Sequence, residues 1–356
     1  MNPQNNQGRV ASIDILKCLS MLFIVIIHFY GHGFVKKDLF FDGNTVAGWF
    51  NFVVSEVLFV LANSAVDIFI IITGYFLISQ ERMQWRKIAR IWLQVLFYSV
   101  LITACFVLFT DSISNKELLK SFIPIKSNTY WFATKYVGLL AIAPFIARLC
   151  KNLTRKEYLI LLGVMIFLTT EIYKFPYGYT FDEMYGTNLQ FFVTLFLTGG
   201  YLRLYPPKNT FVYFALCFSF ALLYRMIPTI ISCLQGTENK ISVTSGPYNS
   251  ISFYVAISFF LWFRGLNFKE TKIVRFFIKL VPYTFGVYLL HDHVLTRSLI
   301  WTKIVDESTY ADSYLYVMYM TICVLTIYSI GIFVDCLRKK LFDVLHVDKI
   351  LSKIPD

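Results

Sequence analysis

Ser12-Ile13-Asp14-Ile15-Leu16-Lys17-Cys18-Leu19-Ser20-Met21-Leu22-Phe23-Ile24-Val25-Ile26-Ile27-His28-Phe29-Tyr30 is the stretch that decides the fold. A helix that crosses a bilayer needs about 20 mostly apolar residues, and this run supplies them. Asp14 and Lys17 near its start, and the lack of a small-residue cleavage site after His28, read as a retained span rather than a signal peptide. Nine further runs of this kind follow, near 62–79, 90–109, 130–149, 157–173, 189–205, 210–228, 248–264, 276–295 and 313–335. A shorter stretch, 46–60, carries Trp49 and Glu56 and reads as an interfacial or re-entrant helix, a further span being the alternative.

Composition agrees with the pattern. Of the 356 residues, 57% are hydrophobic and only 15% charged, against about 25% charged in a soluble domain. Disorder requires the opposite balance. Aromatics reach 18%, which suits rings at the membrane interface. The loops are short, no repeat of fixed period is visible, and there is no G-x-G-x-x-G or P-loop. The expected fold is all-α, a polytopic integral membrane helix bundle of about ten transmembrane helices, as one domain over 1–356. Gly199-Gly200 reads as a helix-packing contact. The seven cysteines are scattered without a C-x-x-C, so neither a zinc site nor a disulfide framework is indicated, and buried reduced thiols are expected.

The net charge of +11 raises nucleic acid as a partner, but the basic residues fall between apolar runs. With ten spans and a cytoplasmic N-terminus, the inner segments hold 21 of the 33 lysines and arginines and the outer segments 10, Arg225 and Arg297 among them. Positive-inside bias therefore favours both termini in the cytoplasm and a multi-pass protein of the cell membrane, with lipids as its surroundings and no nucleic-acid partner. Counting 46–60 as a full span would reverse every later loop.

Ionisable residues within spans are costly and are candidates for function. Asp14 and Lys17 are three apart and share a helix face. Lys17 and His28 are eleven apart, close to three turns, so His28 lies on the same face about 16 Å further along. An imidazole titrates near neutrality and serves as a general base; an interfacial histidine bonded to a loop is the bland alternative. His32 is a weaker rival expected in the outer loop. Asp67, at the start of the second span, is placed to orient an imidazole or to act as a helix N-terminal carboxylate. Arg82, Arg86 and Arg90, spaced by four, line one helical face, with Lys87 beside them. Guanidinium forks suit phosphate; plain positive-inside charge is the alternative. The ninth span closes Tyr288-Leu289-Leu290-His291-Asp292-His293, which puts His291 near the level of His28, as a site residue or a solvated helix end.

In this order these residues resemble the acyltransferase-3 family of polytopic membrane acyltransferases. Ile13-Asp14-Ile15-Leu16-Lys17 and the apolar run to His28 resemble its first-span motif, with Lys17 where the family usually has Arg. Val66-Asp67-Ile68-Phe69 through Thr73-Gly74-Tyr75-Phe76 resembles its second span, with Thr for Ser. Arg86-Lys87-Ile88-Ala89-Arg90-Ile91, Tyr130-Trp131-Phe132 through Ala143-Pro144-Phe145, and Tyr288-Leu289-Leu290-His291 resemble later motifs, so the likeness runs from about residue 9 to 335. The resemblance implies transfer of an acyl group, most often acetyl, from cytoplasmic acyl-CoA to a hydroxyl of a surface glycan or lipid-linked sugar. His28 would be the base, with Asp67 and His291 in the same catalytic set. Arg82, Arg86, Arg90 and Lys17, the last with Asp14, would meet the donor phosphates. No metal is expected, because a thioester is already activated. A transporter or flippase of lipid-linked glycans is the alternative class. The acceptor sugar and the oligomeric state stay open.

Overall fold

The computed structural model describes residues 11–110, 113–171, 188–207, 211–236, 240–243 and 249–355. The loop 174–188, expected outside, lies almost wholly beyond the described residues, as does Arg9. The structure is an all-α bundle. Helix α1 (Ala11–His28) runs into a π-helical turn, Phe29–Val35. Then come α2 (Val46–Asn63), α3 (Ala65–Leu77), α4 (Trp85–Phe109) and the short α5 (Asn115–Ser121). Next are α6 (Trp131–Lys151), α7 (Arg155–Ile166), α8 (Leu189–Leu204), α9 (Phe211–Leu234) and α10 (Asn249–Arg264). The C-terminal third holds α11 (Lys272–Leu280), α12 (Thr284–His291), α13 (Val294–Leu299), α14 (Tyr316–Val344) and α15 (Val347–Leu351). Two two-residue strands, β1 (Phe41–Asp42) and β2 (Lys240–Ile241), pair antiparallel.

Among the described residues, seven helical runs are long and apolar enough to cross a membrane, and Leu189–Leu204 and Ile251–Arg264 are shorter apolar helices. The protein is thus a multi-pass membrane protein. Two expected segments fold differently from their reading in sequence. The 46–60 stretch does not stand apart: α2 runs into α3 across a single break at Ser64, giving one apolar run of 32 residues. At 1.5 Å per residue that is about 48 Å, more than the ~30 Å hydrocarbon core. The ninth segment is broken by a 3₁₀ turn at Val281–Tyr283, where Pro282 lacks the N–H that a continuous helix needs.

Core and lipid faces separate by side chain. Helix α1 is central: Leu16 and Val25 are fully buried, and it packs against α2, α3, α10, α11, α12 and α14. On α9, Phe211, Leu216, Phe220 and Leu223 are exposed, the face a lipid-contacting helix presents. Two buried ion pairs and their hydrogen bonds tie helices together, as a low-dielectric interior favours for charge. The guanidinium of Arg225 takes both oxygens of Glu56, tying α9 to α2. Arg225 therefore lies inside the bundle, not among outer-loop charges. Asp335 receives Arg338 (2.9 and 2.8 Å), Gln94 (2.9 Å) and Tyr98 (3.0 Å), joining α14 to α4. All seven cysteines are free, as expected, but only Cys18 and Cys150 are buried, and Cys105 is exposed.

Helices α3 and α8 touch through glycine. A Cβ on Gly199 would strike the backbone of Ile71 and Tyr75, and one on Gly74 the backbone of Phe196. Gly163 on α7 has nothing within 4 Å of its Cβ position. Gly199→Val should therefore lower stability by about 1–3 kcal/mol or more, since backbone cannot yield as a side chain does. Gly163→Ala should leave it unchanged or raise it by up to ~1 kcal/mol. Thermal unfolding in detergent separates the two; equal melting temperatures would contradict this packing.

Candidate active site

Both histidines picked out at the ends of their spans come together. His28 Nδ1 lies 2.8 Å from His291 Nε2. His291 Nδ1 lies 2.6 Å from the backbone oxygen of Val287, one turn earlier on α12. This second contact sets the direction of the first. A carbonyl only accepts, so His291 Nδ1 carries the proton and, in the neutral ring, Nε2 is the acceptor. His28 Nδ1 must then donate. The lone pair of neutral His28 is left on Nε2. Because the two rings share one hydrogen bond, they cannot both be imidazolium in this arrangement.

The carboxylate beside His28 is Asp292, not Asp67. Asp292 Oδ1 lies 3.6 Å from His28 Nδ1 and 3.8 Å from His32 Nε2. Arg297 places Nε and Nη2 on the same oxygen at 2.9 and 2.8 Å, and Nη2 also donates to the Asp292 backbone oxygen. Oδ2 of Asp292 is buried and has no hydrogen-bond partner among the described residues. Asp67, 4% exposed, accepts from the Ser252 hydroxyl of α10 at 3.1 Å. It shares the cavity with His28 but makes no ion pair with it, and the Nδ1 contact of His28 goes to α12. His32 is not in a loop: it continues the chain of α1 through the π-helical turn, its ring centre 4.9 Å from that of His28.

His28, His32, Asp67, Ser252, Asp292 and Arg297 all line one cavity of about 450 Å³, floored by aromatic and aliphatic side chains. A second chamber of about 260 Å³ runs toward Lys17 and is otherwise mostly apolar. Ile24, Phe132 and Tyr288 form a wall common to both. The hydroxyl of Tyr288 is buried at this wall. Lys17 Nζ is 3.0 Å from Asp14 and 5.6 Å from the centre of the Phe76 ring, so the expected pair at the start of α1 exists.

The arginine row is shorter than its spacing suggests. Helix α4 begins at Trp85, because Gln84 holds a non-helical backbone (φ −107°, ψ 56°). Arg82 precedes the helix and is exposed. Arg86 and Arg90 do share α4, and both meet the C-terminal segment. Arg86 Nη2 donates to the Ile354 backbone oxygen at 3.2 Å, and Arg90 Nη2 to Asp348 at 2.8 Å. Neither lines the Lys17 chamber.

One donor set has the composition of a cation site. His28, His32 and Asp292 offer ligand atoms within 4.8 Å of one another. The set fits a metal poorly: the Arg297 guanidinium already occupies Asp292 Oδ1 and would repel a second cation there. Sequence reasoning passed over Asp292 and Arg297. The available signal was an acidic residue directly after His291, followed five positions later by an arginine that the charge count had assigned to a loop.

Comparison with known proteins bears on the whole chain. No curated protein and no solved structure matches it significantly. The family model described as an acyltransferase domain matches residues 10–337. That stretch runs from the start of α1 through the histidine pair and most of α14, and the protein belongs to the acyltransferase-3 family of membrane acyltransferases.

Proposed function

We propose that the protein moves an acyl group, acetyl by preference, from acyl-CoA to a hydroxyl of a surface glycan or lipid-linked sugar, with His28 as the general base. The observation that carries this reading is the one-way relay from His28 through His291 to Val287. It leaves Nε2 of His28 as a lone-pair nitrogen on a ring that lines a cavity. A sugar hydroxyl is a weak nucleophile at neutral pH and needs a base within hydrogen-bond reach.

The acceptor oxygen attacks the thioester carbonyl carbon while its proton passes to His28 Nε2. The resulting imidazolium keeps its Nδ1–H on His291 and gains from Asp292 nearby. Charge developing on the carbonyl oxygen faces Arg297 and the Tyr288 hydroxyl, donors of the kind that stabilise such an oxyanion. The C–S bond then breaks, and His28 returns its proton to the departing CoA sulfur. Asp67 and Ser252 are left to bind the acceptor in the same cavity. The narrow chamber between Lys17 and the Tyr288 wall suits the thin pantetheine arm, with the nucleotide phosphates at the Lys17 end and on the basic start of α4. This reading sets the Lys17 end, Arg86, Arg90 and both termini on the cytoplasmic side, and His28 toward the outer side.

Lys17→Gln should raise the KM for acyl-CoA about 10- to 100-fold, the loss of a charge-assisted phosphate contact. With S-acyl-pantetheine, which lacks those phosphates, variant and parent should match. An equal loss on both donors would assign Lys17 to pairing with Asp14 alone.

His28→Gln keeps size and hydrogen bonding but cannot act as a base. Acyl-CoA binding and protein yield should hold while transfer falls about 10²–10⁴-fold. Labelled acetyl-CoA with purified protein reads both quantities. Transfer at the parent rate would remove His28 from the chemistry.

A further inference from the structure

A third cavity, of about 190 Å³, lies behind the segment that carries His291, and its lining differs from that of both chambers. Nine of its eleven lining residues are polar or charged, Val294 and Leu295 being the exceptions. Glu117, Lys120 and Asn128 form its exposed rim, Ser121 and Ser127 bond backbone oxygens within it, and Ser99, Thr103 and His293 form its buried wall, where a polar group is costly unless satisfied.

Two residues of that wall present polar atoms to the pocket. Ser99, fully buried on α4, has no hydrogen-bond partner for Oγ among the described residues, although a helical serine commonly bonds back to the preceding turn. His293, 4% exposed, accepts the Leu295 N–H at Nδ1 (3.3 Å) as it caps α13. The neutral ring then carries its proton on Nε2, a donor. Glu117 adds an acceptor: the backbone N–H and hydroxyl of Ser114 hold its carboxyl below the usual range, so it stays ionised. Lys120 cancels its charge within the same lining. A lining of hydroxyls, an amide and an imidazole, neutral in sum, matches a neutral polyhydroxyl ligand and not an anionic headgroup. At a water's share of about 30 Å³, the space is that of roughly six waters, which suits one sugar ring.

Its position relates it to the reacting centre. Thr129 and His293 line this pocket; Trp131 and Asp292, two residues and one residue away, line the His28 cavity. Both cavities therefore share the segments 127–132 and 291–297 as walls. We propose that this pocket is an acceptor subsite, holding a sugar ring of the glycan next to the ring that is acylated at His28. The proposal rests on the acyl-transfer reading and adds where the acceptor is recognised.

The test uses Ser99→Ala/Thr103→Val, which removes two hydroxyls from the pocket at nearly constant volume. The acceptor probes are surface glycan purified from cells lacking this gene and the monosaccharides released from it by acid hydrolysis. The double variant should raise the KM for intact glycan about tenfold or more. Its KM for acyl-CoA, and its rate with the single-ring probes, should stay at the parent values. An unchanged KM for glycan, or an equal loss on glycan and monosaccharide, would overturn the subsite. A fall in kcat with both probes and a lower melting temperature would also overturn it, by assigning the hydroxyls to folding. A parent protein that turns over no acyl-CoA would remove the acyl-transfer reading itself; an active parent with unaltered variants removes only the subsite.

Discussion

The hydrogen bond between His28 and His291 holds the end of α1 against the end of α12, and its direction is imposed from behind by the Val287 carbonyl. Much of the site's character follows from it. The bond fixes one tautomer for each neutral ring, and it commits Nδ1 of His28 to α12 and not to Asp67. It also brings Asp292 with its Arg297 partner to the edge of the same cavity. A lone imidazole at this depth could adopt either tautomer. Tied to a backbone oxygen through a second ring, it has one, with the lone pair on Nε2.

The rest of the bundle gives this bond a rigid frame. Backbone contact between α3 and α8 at Gly199 and Gly74 leaves no room for side chains to adjust. The Glu56–Arg225 pair and the Asp335 network each tie distant helices through buried charge. In a bilayer, dissociating such a pair would leave charge in hydrocarbon, so these contacts resist opening more than exposed pairs do. The Arg90–Asp348 pair is exposed and belongs to the second kind. The C-terminal segment meets the basic start of α4 through this exposed pair and through the bond from Arg86 to the Ile354 backbone oxygen.

Sequence made the apolar spans legible because length and hydropathy are local properties. It also made the Asp14–Lys17–His28 stripe legible, because helical periodicity places side chains without knowledge of neighbours. What crosses between helices was hidden. Asp67 looked like the partner of His28 by depth, yet Ser252 takes it, and nothing in the order of residues selects α10 over α12 as the neighbour. Arg225 and Arg297 were counted as loop charges because a count of basic residues does not see which carboxylate faces each one. Arg82 appeared to continue the α4 face because a spacing of four does not report that Gln84 stops the helix. The polar pocket behind His293 draws on four separate segments, none unusual alone.

The tautomer of His28 tests this account most directly. With five histidines in the chain, ¹⁵N spectra of histidine-labelled protein in lipid can be assigned by the signal lost in His28→Gln. The account predicts, for neutral His28, a protonated Nδ1 and a lone-pair Nε2, with His291 protonated at Nδ1. A proton on His28 Nε2, with the lone pair at Nδ1, would contradict it, because no base would then face the cavity.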